Sequence, residues 1–394
     1  MAEVGSLEYL TGAECASRPL RVPPPSIASR SGKTLPISAG LPLERISIEL
    51  SRHCNLECIY CYTQASRHDP GGLSDAELGA IVAEAAELGA RLVSIVAGGE
   101  PMLRRSMTLA GQSLIDRANA LGCYCYLYTN CTLIRKEHAE FFFERDVSIV
   151  GKLNSLKEDV QDELTGVRGS YRLIRRGIDA LLNAGFASTK PTRLALESII
   201  CRQNYEEIPE LWRYLRSSNI IPEFEIPTLH GRAIEHLNDI AFDAAEAPGK
   251  YQALFTELAR IDREEYGYVW EPHPPFPAAS CRLFENNCYI NANGSVQPCA
   301  GVDCALGQLK VGQFVESGIS LAAVVELPAF RAMREVRQRL EAPCRDCELN
   351  SECYGCRGAA FQATGNMFAA DPICWNKQKA PLLRTQQCTL PCTR

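Results

Sequence analysis

Three cysteines fall within the eight residues CNLECIYC, at Cys54, Cys58 and Cys61, with Tyr60 just ahead of the last. Thiolates hold iron–sulfur clusters, and a cubane cluster has four iron corners. The CxxxCxxC spacing holds three corners and leaves the fourth iron for something other than protein. A structural zinc site normally takes four protein ligands, and only His53 and His68 lie near enough in sequence to make up the number. On spacing alone a cluster is favoured over zinc. A second motif, GGEP at Gly98, Gly99, Glu100 and Pro101, puts backbone without Cβ where a ligand can approach the main chain. Alone it reads as a strand-ending turn. One strand–helix unit after CxxxCxxC, it makes a specific pair.

A second group of cysteines has its own regularity. Cys281, Gly294 and Cys299 give C-x12-G-x4-C, while Cys344, Cys347, Cys353 and Cys356 give C-x2-C-x5-C-x2-C, and Cys374 follows in DPIC. The bland reading is a pair of structural zinc sites, which also use CxxC pairs.

The elements that must position these groups are legible from periodicity. Residues 45–50, 91–99, 123–130, 147–155, 193–201 and 221–227 read as strands. Helical patterns lie between them at 73–89 (with Ser74 as N-cap and Gly89 as stop), near 105–121, over HAEFFFERD, around 169–184 and at 205–217. Such alternation implies parallel βαβ units, and six units suggest an open partial (βα)6 barrel. Ligands in these sheets sit at the carboxyl ends of the strands. The cysteine loop, GGEP, Thr129-Asn130 and Lys152, Asn154 and Ser155 all fall on that one rim. The expected organisation is a Pro/Gly/Ser-rich lead-in over 1–43, the barrel over 44–235, a helical linker over 236–277, a small irregular cysteine-rich α+β domain over 278–380, and a tail over 381–394.

Composition narrows the class. The chain has 394 residues, 46% of them hydrophobic, and a formal charge of −6, which argues against a nucleic-acid surface. No apolar run is long enough for a membrane span, and the N-terminus has no secretory signal. The expected compartment is the cytoplasm, where disulfides are rare, so nineteen cysteines point to metal or cluster binding.

The pairing of CNLECIYC, with Tyr60 as the aromatic of CxxxCxΦC, and GGEP resembles the radical S-adenosylmethionine (radical SAM) enzymes over roughly residues 44–230. The resemblance implies a [4Fe–4S] cluster on Cys54, Cys58 and Cys61, whose open iron is chelated by the methionine part of SAM. It implies Gly98, Gly99 and Glu100 around the SAM amino group, with Asn154, Ser155 and Glu197 as candidates for its ribose and carboxylate. One electron then cleaves SAM to methionine and a 5′-deoxyadenosyl radical that abstracts hydrogen from a substrate. The later cysteines resemble the SPASM extension of that family, which carries up to two auxiliary [4Fe–4S] clusters; the two residues between Cys353 and Cys356 are one fewer than many members have. By the same resemblance the nearer cluster would use Cys281, Cys299, Cys356 and Cys288, of which Cys288 is not fixed by the motif. The outer one would use Cys344, Cys347, Cys353 and Cys374. Without Cys288 the nearer cluster would have an open iron.

Members with this extension mostly oxidise or crosslink ribosomally made peptides, and others act on small metabolites such as sugars or aminocyclitols. The expectation is a peptide substrate first and a metabolite second, with a non-catalytic iron–sulfur or zinc scaffold as the remaining alternative. Expected partners are an electron donor such as flavodoxin or ferredoxin and a separate leader-peptide-binding protein, since the lead-in is too short for a fused one. Of the remaining cysteines, most read as buried apolar thiols. Cys304 and Cys131 are the candidates for a hydrogen-atom donor that quenches a substrate radical.

Overall fold

The computed structural model describes residues 43–68, 71–270, 272, 281, 283–310 and 318–376. The expected lead-in (but for Leu43) and the tail lie outside them. Six parallel strands form the frame: β1 (Arg45–Ser51), β2 (Leu92–Gly98), β3 (Tyr124–Thr129), β4 (Ser148–Lys152), β5 (Leu194–Ile199) and β6 (Ile221–Glu225). They pair in chain order, and helices α1 (Asp75–Glu87), α2 (Leu114–Ala120), α3 (Lys136–Glu144), α4 (Glu158–Thr165), α5 (Ser170–Asn183) and α6 (Ile208–Ser217) connect them.

Each strand divides its side chains by parity. On β1, Ile46, Ile48 and Leu50 are buried in the main apolar core, while Ser47 and Glu49 point the other way and meet polar partners. On β3, Cys125 and Leu127 are buried in that core and the intervening Tyr124, Tyr126 and Tyr128 are half-buried. The sheet's second face therefore lines a lumen of tyrosines and charged groups. Helix α1 begins where expected: Ser74 N–H donates to Glu77 at 2.7 Å and Glu77 N–H returns a bond to Ser74 Oγ at 3.3 Å. This capping box satisfies orphan amides, and Gly89 at φ 104° ends the unit.

Two stretches differ from the periodicity. Only Leu114–Ala120 of the helix expected near 105–121 forms; Pro101–Leu103 and Arg105–Thr108 are short 3₁₀ turns. Arg104 is the reason, because its guanidinium reaches the Leu73 carbonyl and pairs with Asp75 at 2.9 Å, pinning this segment beneath GGEP. Helix α4 was not expected, and it packs on the cysteine loop. Glu57 and Ile59 N–H groups donate to the Thr165 and Leu164 carbonyls, each at 3.1 Å.

The cysteine-rich region shares the barrel's sheet. Strand β7 (Asn287–Ile290) adds in parallel to the free edge of β1, and β8 (Ser295–Gln297) and β9 (Gly307–Gln308) follow it antiparallel. The result is one nine-stranded sheet. Cys281 precedes β7 and Cys299 follows β8, both at the end where β1 starts, while the loop of Cys54, Cys58 and Cys61 follows the opposite end of β1. Among the described residues no helix is long and apolar enough to cross a membrane.

Candidate active site and cluster ligands

The loop after β1 is tied down along its length. Cys54 N–H donates to the Ser66 carbonyl at 2.7 Å, Cys61 N–H to the Cys58 carbonyl at 3.1 Å, and Arg232 N–H to the Cys61 carbonyl at 2.9 Å. The Arg232 side chain also holds the Cys58 and Ala65 carbonyls. The three thiols are mutual neighbours. Burial, reinforced by the adjacent thiols, pushes Cys54 up to about 12 and Cys58 to about 11. A bare thiolate is thus disfavoured there, and a metal that displaces the proton suits the pocket. Leu56 N–H and Thr63 Oγ1 lie within hydrogen-bonding distance of the Cys54 and Cys61 sulfurs.

GGEP is wedged directly beside this loop. A Cβ on Gly99 would fall 2.0 Å from the His53 carbonyl oxygen, so only glycine fits. Gly98 sits at φ 71° and its carbonyl accepts from Thr63 Oγ1 at 2.5 Å. Glu100 is buried, and its carboxylate accepts from Thr129 Oγ1, Asn130 N–H and Met102 N–H at 2.8, 2.7 and 3.0 Å. Burial pushes its carboxyl up to about 7 against those three bonds. Glu100 thereby fastens the turn to the end of β3. Pro101, also buried, starts the 3₁₀ turn that follows.

The other expected SAM contacts separate into two kinds. Asn154 and Ser155 are fully buried. Asn154 Nδ2 donates to Tyr60 Oη at 2.8 Å and its Oδ1 accepts from Ile199 N–H at 2.9 Å, while Ser155 Oγ donates to Glu207 at 2.6 Å. Both side chains brace the rim, Asn154 through Tyr60 and β5 and Ser155 through Glu207. Glu197 does face the lumen, paired with Lys152 Nζ at 2.6 Å. Burial opposes the Lys152 charge, but Glu197 and Glu225 outweigh it and hold the ammonium above its usual range.

Several lumen groups were not singled out by motif. Glu223 and Glu225 alternate with Pro222 and Phe224 on β6; burial first, then the Glu197 charge, pushes Glu223 up to about 7 and Glu225 well up. Glu49 is buried and accepts from Tyr289 Oη at 2.8 Å, and Tyr289 in turn meets Tyr62 Oη at 2.9 Å. That chain runs from beside Cys61 to β7. The period-two pattern of IPEFE was the available signal for the β6 pair.

The later cysteines gather into two places. Cys344, Cys347, Cys353 and Cys374 line one small pocket together with Asp371 and Asn376. Burial, with neighbouring carboxylate and thiols, raises Cys353 to about 11 and Cys374 to about 12. Cys281, Cys299 and Cys356 form a second neighbourhood, each pair acting on one another's charge. Among the described residues no three His, Cys, Asp or Glu side chains converge tightly enough to grip a single ion. Zinc needs sulfurs at about 2.3 Å from one centre; thiols ringing a cavity fit a multi-atom cluster better. Asp371 links the two places, accepting from Cys356 N–H at 2.7 Å and Ile373 N–H at 3.0 Å.

Three more of the expected cysteines are buried. Cys288 is fully buried on β7, in register with Ile46 on the core side of the sheet, and Arg334 is the charged group that acts on it. It does not join Cys281, Cys299 and Cys356. Cys131 lies behind the sheet, where a Cβ on Gly151 would meet its sulfur at 2.6 Å and one on Gly177 its carbonyl at 1.9 Å. Cys304 is buried and disulfide-bonded.

Known proteins resemble the chain along most of its length. The family model described as the Radical SAM superfamily matches residues 48–215, and that of the SPASM iron–sulfur cluster-binding domain matches 281–348. An AdoMet-dependent heme synthase of Oleidesulfovibrio alaskensis is 25% identical over 85% of this chain and 88% of its own. A mycofactocin maturase MftC of Mycobacterium ulcerans is 25% identical over 86% and 89%, and a PqqA peptide cyclase of Bradyrhizobium diazoefficiens 24% over 85% and 86%. Among solved structures, native anSMEcpe with bound AdoMet aligns with a TM-score of 0.60 at 15% identity, over 84% of this chain and 94% of that one. SuiB of Streptococcus suis bound to S-adenosylmethionine aligns at 0.56 and 20% identity, over 84% and 77%.

Proposed function

Since the chain belongs to the radical SAM superfamily and carries a SPASM iron–sulfur cluster-binding domain, we propose that it is an oxidative radical enzyme that modifies or crosslinks a ribosomally made peptide. The Cys54, Cys58 and Cys61 loop would hold the cluster that reductively cleaves S-adenosylmethionine, and that cluster and cosubstrate together supply a hydrogen-abstracting radical. The chain's own residues do the rest. The glycines of GGEP admit the cosubstrate to the backbone, and Arg232 and α4 hold the cysteine loop. The Lys152–Glu197 pair with Glu223 and Glu225 faces the substrate across the lumen, where walls of packed side chains keep water from a reactive species.

The observation that carries this reading is the shared sheet: the cysteine loop follows the carboxyl end of β1, and Cys281 and Cys299 flank β7 and β8, which extend the same sheet, at the end where β1 starts. Net oxidation removes two electrons from the substrate per product. One would leave with the abstracted hydrogen atom, and the later cysteines would hold clusters that could accept the other as a proton departs. The peptide is favoured because MftC and the PqqA peptide cyclase are relatives and SuiB has been solved with a precursor peptide, SuiA. The heme synthases among the relatives support a second reading, a small-molecule substrate. The test is to incubate the anaerobically reconstituted enzyme, SAM and dithionite with short peptides encoded beside its gene. Loss of two hydrogens from a peptide, read by high-resolution mass spectrometry, is the expected result. Turnover of a metabolite with every peptide unchanged would replace the reading by the second one.

A further inference from the structure

Arg357 opens the short helix Arg357–Thr364 that follows Cys356, and it is only 2% exposed. A guanidinium taken out of water normally spends its N–H donors on acceptors, because a buried donor left unpaired costs about 1–3 kcal/mol. Here half of the fork is idle. Nη1 donates to the Met367 and Ala369 carbonyls at 3.2 and 2.6 Å, whereas Nε and Nη2 meet no acceptor among the described residues.

The idle edge lies against Gly355 and Asp371. Gly355 sits at φ 65°, and a Cβ on it would fall 2.7 Å from both Arg357 Nη2 and Asp371 Cβ, so glycine is what leaves the guanidinium its place. The Asp371 carboxylate is already bonded elsewhere, accepting from Cys356 N–H at 2.7 Å and Ile373 N–H at 3.0 Å. Both Gly355 and Asp371 line the pocket of Cys344, Cys347, Cys353 and Cys374. The unpaired donors thus abut the wall of that pocket. Its sulfurs already collect N–H groups: Gly355 N–H donates to Cys353 Sγ at 3.2 Å, Asn376 N–H to Cys374 Sγ at 3.4 Å and Asn376 Nδ2 to Cys347 Sγ at 4.0 Å.

We propose that Arg357 is a positioning residue for the outer auxiliary cluster, with Nε and Nη2 donating past Gly355 to that cluster's sulfurs and raising its reduction potential. A single zinc ion brings no acceptor of its own, whereas a cluster brings sulfides. Positive charge and hydrogen bonds to sulfur favour the reduced, more negative state. A cluster so tuned is a better acceptor for the electron that an oxidised substrate gives up. This inference rests on the cluster reading above but not on the identity of the substrate.

The test uses the full chain carrying Cys54→Ala, Cys58→Ala and Cys61→Ala, grown with ¹⁵N-guanidino-labelled arginine and reconstituted anaerobically. Only the auxiliary clusters then carry a signal. Pulsed EPR of the reduced protein should show a ¹⁵N coupling that Arg357→Lys removes, and that disappears with the outer cluster when Cys344→Ala and Cys347→Ala are added. Redox titration should place the midpoint of one auxiliary cluster lower in Arg357→Lys and lower still in Arg357→Gln, which also loses the charge, with about eight irons per chain retained. A purely structural arginine would leave the midpoints of fully loaded variants unchanged, and that result would overturn the proposal. So would the absence of ¹⁵N coupling with Arg357 intact, or a coupling that survives loss of the outer cluster. Should the Arg357 variants lose iron or fail to fold, the ¹⁵N result with Arg357 intact decides. A chain that takes up no iron at the auxiliary sites would instead sink the cluster reading itself.

Discussion

Tyr60 Oη and Asn154 Nδ2 meet at 2.8 Å, with Asn154 fully buried. This bond joins the aromatic of the cysteine motif to the end of β4, and Asn154 Oδ1 carries the connection on to Ile199 N–H. Replacing Asn154 by Ala strands both partners in the core. A buried donor left unsatisfied costs about 1–3 kcal/mol, so Asn154→Ala should lower the denaturant midpoint and weaken cluster retention together. A drop in SAM affinity with unchanged stability would instead assign Asn154 to the cosubstrate.

Gly99 makes a sharper case. Its missing Cβ would lie 2.0 Å from the His53 carbonyl oxygen, a backbone atom one residue from Cys54. Gly99→Ala must therefore displace the cysteine loop. The expected outcome is loss of about four irons per chain from the first site with both auxiliary sites filled, read by iron analysis and EPR of the reduced enzyme.

The lumen carboxylates give the protein a pH dependence. Burial and the Glu197 charge hold Glu223 at about 7, and hold Glu225 well above its usual 4.5, in the folded state. The folded chain therefore binds these protons more tightly than the unfolded chain. Their contribution to stability is complete below about 4.5, the unfolded value, and is lost as pH rises through about 7. Glu223→Gln with Glu225→Gln should flatten the fall in denaturant midpoint over that window. An unchanged pH profile would show that the two side chains are solvated.

Asp371 links both auxiliary sites through the amides of Cys356 and Ile373, and it lines the outer cavity itself. Asp371→Ala should cost iron at both, about eight atoms per chain, while the first site keeps its EPR signal. Loss confined to one site would mean that the two fold independently.

How much of this was legible beforehand depends on what a one-dimensional pattern contains. The six strands and their shared rim followed from alternation and length, because hydrophobic period reports burial directly. The CxxxCxxC loop and GGEP were readable because glycine and cysteine spacing carries steric and coordination requirements of its own. Parity was harder. Asn154 and Ser155 end a strand on the rim, and nothing in their spacing told of their bonds to Tyr60 and Glu207. Cys288 sits between two true motif cysteines, yet its face is set by pairing with Ile46, a contact across more than half the chain. Helix α4 was invisible for a related reason: it is polar and short, and its place comes from backbone bonds to Glu57 and Ile59.

The central claim is that the loop of Cys54, Cys58 and Cys61 cleaves S-adenosylmethionine. The most direct measurement is 5′-deoxyadenosine, quantified by chromatography and mass spectrometry after the anaerobically reconstituted enzyme meets dithionite and SAM. The account predicts its formation by the unaltered chain and at least a hundredfold less by Cys58→Ala, with the auxiliary iron still bound. No 5′-deoxyadenosine from a chain carrying its full complement of iron would contradict it.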